Sequence, residues 1–282
     1  MPEKTLIELL EETLEAGAIK LPVFSQVALE LQEVIRKDNF SMTQLSEIIE
    51  EDQALTAQVL KSANTAFYSG LQPAKTIRDA VVRLGANSIV NLTIMVTQKQ
   101  AYKSKTKELS ELTKLLWSHA LGAATGSRWL AQRLGRRQIA EIAFLAGLLH
   151  DVGKLLLLKA VEDLKSSGRC PYEITITFLQ EIFETIHAPR GEKFLRRQNL
   201  PEDYCLIAGR HHDPPASPGN DLLNLVRLAN LTCHKLGIGP KHQPDLTLSV
   251  TTEAKILKAD DLLLAELQVG LEEQVASLQM FL

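Results

Sequence analysis

The chain has little of several things, and each scarcity narrows what it does. Of its 282 residues only three are cysteines, Cys170, Cys205 and Cys233. An odd number with no CxxC spacing excludes a disulfide framework or a zinc ribbon and points to a reduced cytoplasmic protein. No positively charged, apolar leader opens the chain, and no uninterrupted apolar run is long enough for a bilayer, so no membrane role is expected. Charge of either sign is not in excess. Thirty-one Lys and Arg against 34 Asp and Glu leave a formal net charge of −3, which gives a polyanion nothing to bind. The short basic clusters at Lys103-Lys105-Lys107, Arg136-Arg137 and Arg196-Arg197 read as solvated faces, and a nucleic-acid partner is not expected. There are no repeats or low-complexity segments, and the length suffices for one large or two small domains.

What is present is helical periodicity. Leu6, Ile7, Leu9, Leu10 and Leu14 give an amphipathic opening helix that Gly17 ends. Leu21-Pro22 starts a second, with Phe24, Val27, Leu31 and Val34 inward. Ser41 with Gln44, and Thr76 with Asp79, are spaced as capping boxes, and Asp52, Asn87 and Asp221 as N-caps. Leu112, Leu115, Leu116 and His119 stand at i, i+3, i+4 and i+7 of a long helix ended by Gly135, after a polar connection over 101–109. EITIT alternates like a strand, but an isolated strand has nothing to pair with, so it is assigned to a frayed helix start. Pro189 and Gly191 are expected to interrupt that helix just after His187. Leu200-Pro201 opens another, which Asp213-Pro214-Pro215 closes. Loops follow at PPASPGN and 237–245. The tail from about Thr252 is helical and amphipathic, with Leu262, Leu263, Leu267, Val269, Leu271, Val275 and Leu278, able to pack on the body or face a partner.

The stretch 143–158, AFLAGLLHDVGKLLLL, organises this pattern. It is strongly apolar, yet His150 and Asp151 stand in its middle. Leu149, Ala146, Ile142 and Ile139 precede them at helical spacing, so His150 continues an inward stripe. Alone, such a pair reads as a core histidine bonded to its acidic neighbour, and Lys154 as a solvated lysine near a helix C-terminus. However, His119, His150, His187, His211 and His212, five of the seven histidines, all fall on or next to buried faces of four helices. A buried imidazole needs partners for both ring nitrogens, and five around one carboxylate are hard to account for as packing.

The wording of the first hundred residues is also specific. Leu21-Pro22, Asp52 with Ala54-Leu55, Val59-Leu60, Ala63-Asn64, Phe67-Tyr68, Ile77 through Ala80-Val81 to Leu84-Gly85, Trp117-Ser118-His119 and GLLHDVGK resemble, in order to about Asp213, the metal-dependent-hydrolase-related output domain, HDOD. The resemblance implies an all-α, two-lobed helical bundle whose second lobe is similar to HD phosphohydrolases. It divides the chain into an N-terminal helix (1–19), an HDOD N-terminal lobe (20–100), an HD-like lobe (101–236) and a loop with a C-terminal helical extension (237–282). It further implies a bacterial signalling or regulatory output module with protein partners, its input supplied by another protein or a ligand.

By the same resemblance, His119, His150, Asp151, His187, His211, His212 and Asn230 would surround one or two divalent ions, iron, manganese or zinc, with Lys154 as a possible phosphate contact. A metal-dependent phosphohydrolase acting on a nucleotide or other phosphoester is the alternative, and a non-catalytic metal or redox sensor a third reading. Two departures weigh against hydrolysis. Asn230 stands where such enzymes place their last metal-binding aspartate, and an uncharged amide binds a hard cation more weakly. HHDPPASPGN lacks the Gly-Tyr-Pro segment of the cyclic-dinucleotide phosphodiesterases.

Overall fold

The computed structural model describes the chain apart from residues 1–3, 18, 20–25, 38–39, 66–67, 69–72, 105, 215–218 and 282. Leu21-Pro22, Phe24, Phe67 and Pro215, singled out above, lie outside the described residues, as does the side chain of Leu278. Among the described residues there is no strand, and the fold is all-α. The helices are α1 (Leu6–Glu15), α2 (Gln26–Arg36), α3 (Met42–Glu50), α4 (Gln53–Ala63), α5 (Ile77–Leu84), α6 (Ala86–Lys99), α7 (Lys107–Arg133), α8 (Ala140–Leu149), α9 (Val152–Ser166), α10 (Ile176–Arg197), α11 (Glu202–Arg210), α12 (Asp221–Leu236), α13 (Thr252–Leu257) and α14 (Asp261–Phe281).

Several ends form by the expected chemistry. Ser41 accepts the Gln44 N–H at 3.0 Å, and Asp52 accepts those of Ala54 and Leu55 at 2.8 and 3.0 Å. Thr76 and Asp79 cap α5 reciprocally, at 3.0 and 2.9 Å. Each satisfies backbone donors that a helix start leaves open. Two caps fall elsewhere. Gly85, at φ +85°, both ends α5 and begins α6, so Asn87 lies inside the first turn. At α12 the cap is Asn220, whose Oδ1 accepts the Leu223 N–H, one residue before the expected Asp221. The polar connection over 101–109 is also shorter than expected. Ala101 and Tyr102 are buried, and α7 begins at Lys107.

The expected break after His187 does not occur. α10 starts at Ile176, capped by Thr175, and runs unbroken through Pro189 and Gly191. An interior proline costs a helix about 3 kcal/mol. Leu179, Ile182, Phe183 and Leu195 of the same helix are almost fully buried, each contributing about 1.5–3 kcal/mol, so packing outweighs the breaker. The tail is helical and divides into α13 and α14. Lys258 turns left-handed at φ +57°, and Asp260 then caps α14 through the Leu263 N–H at 2.8 Å. Along α14, Leu264, Leu267, Leu271 and Val275 face the body, whereas Leu262 and Val269 are exposed.

The first lobe, α2 to α6, packs around Leu31, Leu45, Ile49, Val59, Ile77 and Ile89. The second is built on α7 and α8, flanked by α9 to α12 and covered by α13 and α14. α8 is buried on nearly every side, so it has no single inward stripe, and Ile142 on its outer side is exposed. α1 lies across the second lobe. It packs on α9 and reaches α10 through the ion pairs Glu11–Arg190, Glu15–Lys193 and Glu15–Arg197. The two lobes are also joined at the start of α8. There the Asn91 side-chain amide of α6 donates to the Glu141 carbonyl and carboxylate at 2.8 and 3.0 Å, and Arg128 of α7 pairs with that carboxylate at 2.9 Å. No helix among the described residues is long and apolar enough to cross a membrane.

Candidate metal centre

Six of the seven predicted ligands come from the ends or middles of helices that the fold brings together. His119 lies midway along α7, and His187 midway along α10. His150 closes α8, Asp151 begins α9, and His211 closes α11 with His212 directly after it. His119, His150, Asp151, His187 and His211 are all at least 95% buried, and His212 sits at the exposed rim.

Asp151 is the hub. Its Oδ1 lies 3.2 Å from His187 Nε2 and 3.3 Å from His211 Nε2. Its Oδ2 lies 3.3 Å from His119 Nε2, 3.5 Å from His150 Nε2 and 2.7 Å from the Lys154 ammonium. His187 Nε2 is in turn 3.2 Å from His211 Nε2 and 3.1 Å from His212 Nε2.

What these atoms can do follows from the other side of each ring. His150 Nδ1 faces the Gly147 carbonyl at 2.7 Å, and His119 Nδ1 that of Ile238 at 3.0 Å. His211 Nδ1 faces the Ala208 carbonyl at 3.0 Å, and His187 Nδ1 that of Phe183. A carbonyl only accepts, so each Nδ1 carries the proton, and each neutral ring turns a bare Nε2 lone pair toward Asp151. Burial favours that neutral form. It pushes the imidazoles of His150 and His211 down, against the pull of the nearby Asp151 carboxylate. Burial alone would raise Asp151, yet the Lys154 ammonium beside it holds its carboxyl well below the usual range.

The cluster is therefore a convergence of acceptors. His119 Nε2, His150 Nε2 and Asp151 Oδ1 are buried without a hydrogen-bond partner. Groups so placed call for an explanation, and a cation is the natural one. Two donors at ~2.0–2.1 Å from a tetrahedral zinc-like ion are themselves about 3.3 Å apart. The 3.1–3.3 Å separations on the Oδ1 side match that value. One donor atom each from Asp151, His187, His211 and His212 forms one compact set, and one each from His119, His150 and Asp151 forms another. The residues present fit a divalent metal.

Glycine permits two of these approaches. The loop after α12 reaches His119 only because Gly239, at φ +125°, has no Cβ, which would lie 2.8 Å from the His119 Cβ. A Cβ on Gly153 would lie 1.9 Å from the His187 carbonyl oxygen, so α9 and α10 touch backbone to backbone beside the centre.

Three residues stand differently from expectation. Asn230 is buried on α12, but no hydrogen bond joins it to the cluster among the described residues. Lys154 is neither solvated nor near a helix C-terminus. It is buried in the first turn of α9, where the helix dipole disfavours a cation, and its ammonium is held by Asp151. His234 was missed by sequence reasoning. It lies one turn beyond Asn230 and stacks on His119, ring centroids 5.3 Å apart and planes within 10°. Burial, then His119, lowers its imidazole to about 2. Its i+4 spacing from Asn230 on the inward face of α12 was the available signal. His119, Lys154 and His234 share one wall of a cavity of about 520 Å³, which Gln180, Phe183 and Lys241 also line.

Comparison with known proteins gives the frame. The model of the HDOD domain matches residues 21–214, more than half of the chain. The chain belongs to the HDOD family. Among solved structures, this HDOD chain superposes on an HDOD domain protein of Geobacter sulfurreducens with a TM-score of 0.75 and 24% identity, covering 98% of each chain. A Shewanella amazonensis protein named as a candidate metal-dependent phosphohydrolase gives a TM-score of 0.72 at 22% identity, with 96% of this chain and 97% of that one covered. A Marinobacter aquaeolei protein named as a candidate signal transduction protein gives 0.66 at 23% identity, covering 99% of this chain but 61% of the other. At these identities the likeness establishes the fold. An uncharacterized protein of Treponema pallidum is 25% identical over 221 residues, 75% of this chain. The HDOD chain spans only 42% of that relative's length.

Proposed function

We propose that this HDOD chain is a cytoplasmic bacterial signalling and regulatory module that acts through protein contacts, with one or two divalent metal ions held in its second lobe. The observation that carries the metal reading is the set of four Nδ1–H groups turned onto backbone carbonyls, which aims four bare Nε2 atoms at one buried carboxylate. Neutral imidazoles and one carboxylate suit zinc, iron or manganese. The likeness to a candidate signal transduction protein supports the regulatory half. So does Asn230, which leaves the donor set one charge short of the hydrolytic arrangement that the family resemblance implies.

A second reading has one specific observation in its favour. The 520 Å³ cavity opens beside His119 and Lys154, where a small phosphoester would meet the centre. A bound divalent ion would there supply Lewis-acid polarisation of a phosphoryl oxygen and a more acidic water. Asp151 with His187, His211 and His212, or Asp151 with His119 and His150, would hold such an ion, and Gln180 and Lys241 would line the cavity.

The test is elemental analysis of protein purified without chelator or nickel resin, followed by a panel of phosphoesters. One or two equivalents of metal with no turnover supports the metal-holding regulatory module. Turnover abolished in His187→Ala establishes the hydrolase. Metal-free protein that also refuses added metal overturns both metal readings.

A further inference from the structure

We propose that Lys154 is a built-in cation that restricts the centre to one tightly held metal ion, on the Oδ1 side of Asp151. This rests on the metal-holding reading above and goes on to say which half of the centre fills.

The two oxygens of Asp151 are not equivalent. Oδ1 is approached by His187 and His211 and has no hydrogen-bond partner, and His212 completes a set of four donors there. No cation is in contact with that oxygen among the described residues. Oδ2 is approached by His119 and His150, giving only three donors, and the Lys154 ammonium already sits 2.7 Å away. That oxygen is thus already paired with a positive charge.

Lys154 is not there by default. It is buried in the first turn of α9, where partial positive charge from unpaired N–H groups repels an ammonium. The Asp151 carboxylate is what holds it, and removing that partner would leave a buried charge uncompensated. A divalent ion binding between His119, His150 and Oδ2 would share that oxygen with the Lys154 ammonium, and must either bear its repulsion or displace it from its only described carboxylate partner. The side chain has somewhere to go, since it lines the 520 Å³ cavity. Lys241 lines the same cavity together with Glu181 and with Glu184, its partner at 3.4 Å, so the displaced ammonium would exchange the buried Asp151 carboxylate for exposed acids, one of them already paired. The Oδ1 side fills without any such displacement.

The experiment titrates chelator-stripped full chain with Zn²⁺ or Mn²⁺ by calorimetry, with elemental counting after desalting and circular dichroism to verify folding. Wild type should take one tight equivalent. Lys154→Met, close in shape but uncharged, should take two, its second ion bound about 10- to 100-fold more tightly than any second ion in wild type. Lys154→Arg, which keeps the charge, should stay at one. A second arm needs no change at Lys154. In the otherwise wild-type chain, His187→Ala should lose the tight equivalent, and His119→Ala should keep it. Two tight equivalents in wild type, one in both wild type and Lys154→Met, or loss on His119→Ala with retention in His187→Ala would each overturn the proposal while leaving a metal centre in place. No metal in any variant would remove the metal-holding reading itself, and this proposal with it.

Discussion

Replacing Gly153 by alanine tests whether the centre is positioned by the contact between α9 and α10. The added Cβ would lie 1.9 Å from the His187 carbonyl oxygen and 2.9 Å from the Gly191 nitrogen. Ordinary contact begins near 3.4 Å, so the helices must separate by roughly 1.5 Å, and both obstacles are backbone atoms that cannot rotate away. Two effects compete. Alanine gains about 0.8–1 kcal/mol over glycine inside a helix. Overpacking costs about 1–3 kcal/mol, and more where backbone must shift. Overpacking wins, leaving a net loss near 2 kcal/mol, or about 4–8 °C in melting temperature for a chain of this size. The same displacement carries His187 away from Asp151 Oδ1, now 3.2 Å distant. Metal affinity should therefore fall by about 10- to 100-fold, on the scale of lost supporting contacts. Differential scanning calorimetry with and without Zn²⁺ and a competitive chelator titration read the two effects. A variant that melts within a degree or two of wild type and keeps its affinity would refute the reasoning. Gly191→Ala, whose Cβ would meet nothing closer than 3.2 Å, should be the milder change.

Asn230→Asp should tighten metal binding if position 230 borders the centre, because a carboxylate binds a hard cation more strongly than an amide. Unchanged affinity in the chelator titration would place Asn230 outside the ligand sphere. Cys170 is half-buried, whereas Cys205 and Cys233 are buried and burial pushes their thiols up. A maleimide at pH 7.5 should therefore label Cys170 in the folded chain and reach the other two only in denaturant. Rapid labelling of all three without denaturant would contradict this. Glu15 is held at about 2 by hydrogen bonds from Lys193 and Arg197, below its ordinary 4.5. A depressed carboxyl adds stability that is fully present above the ordinary value and lost as pH falls through the lowered one. The melting-temperature difference between wild type and Glu15→Gln should thus be small but measurable at pH 6, as befits an exposed pair, and shrink toward pH 3. A difference that does not change over that range would count against the pairing.

The helices, most of their caps and most residues of the buried His–Asp cluster were legible because each depends on local spacing. His119 at i+7 of an apolar stripe and His150 beside Asp151 needed no tertiary knowledge. The misreadings share a cause. Pro189 is a helix breaker in isolation, and only the burial of Leu179, Phe183 and Leu195 keeps α10 whole. Ile142 fits a stripe, but a helix enclosed on nearly every side has none, and its exposed residue is set by where the neighbours stop. Asn87 and Asp221 were each misplaced by a residue or two: Asn220 caps as well as the aspartate beside it, and α6 begins at Gly85 with no side-chain cap. Lys154 was misread, although its i,i+3 spacing from Asp151 is a pairing signal. Its place depends on which oxygen of Asp151 turns toward it, and no sequence pattern carries that.

α8 has a further consequence. Its first turn is held by Asn91 from the first lobe and Arg128 from α7, and its last residue hands over to His150. Ten helical residues make a rod of about 15 Å. On the proposed metal-holding reading, a stiff rod clamped at one end and carrying His150 at the other would couple ion occupancy to lobe position. Linkage then runs equally in both directions. A partner that prefers the first lobe as it stands in the metal-loaded chain must tighten the metal by the same factor by which the metal tightens the partner. The affinity of the ion, measured with and without a partner, thus becomes a gauge of docking on a surface that never touches it.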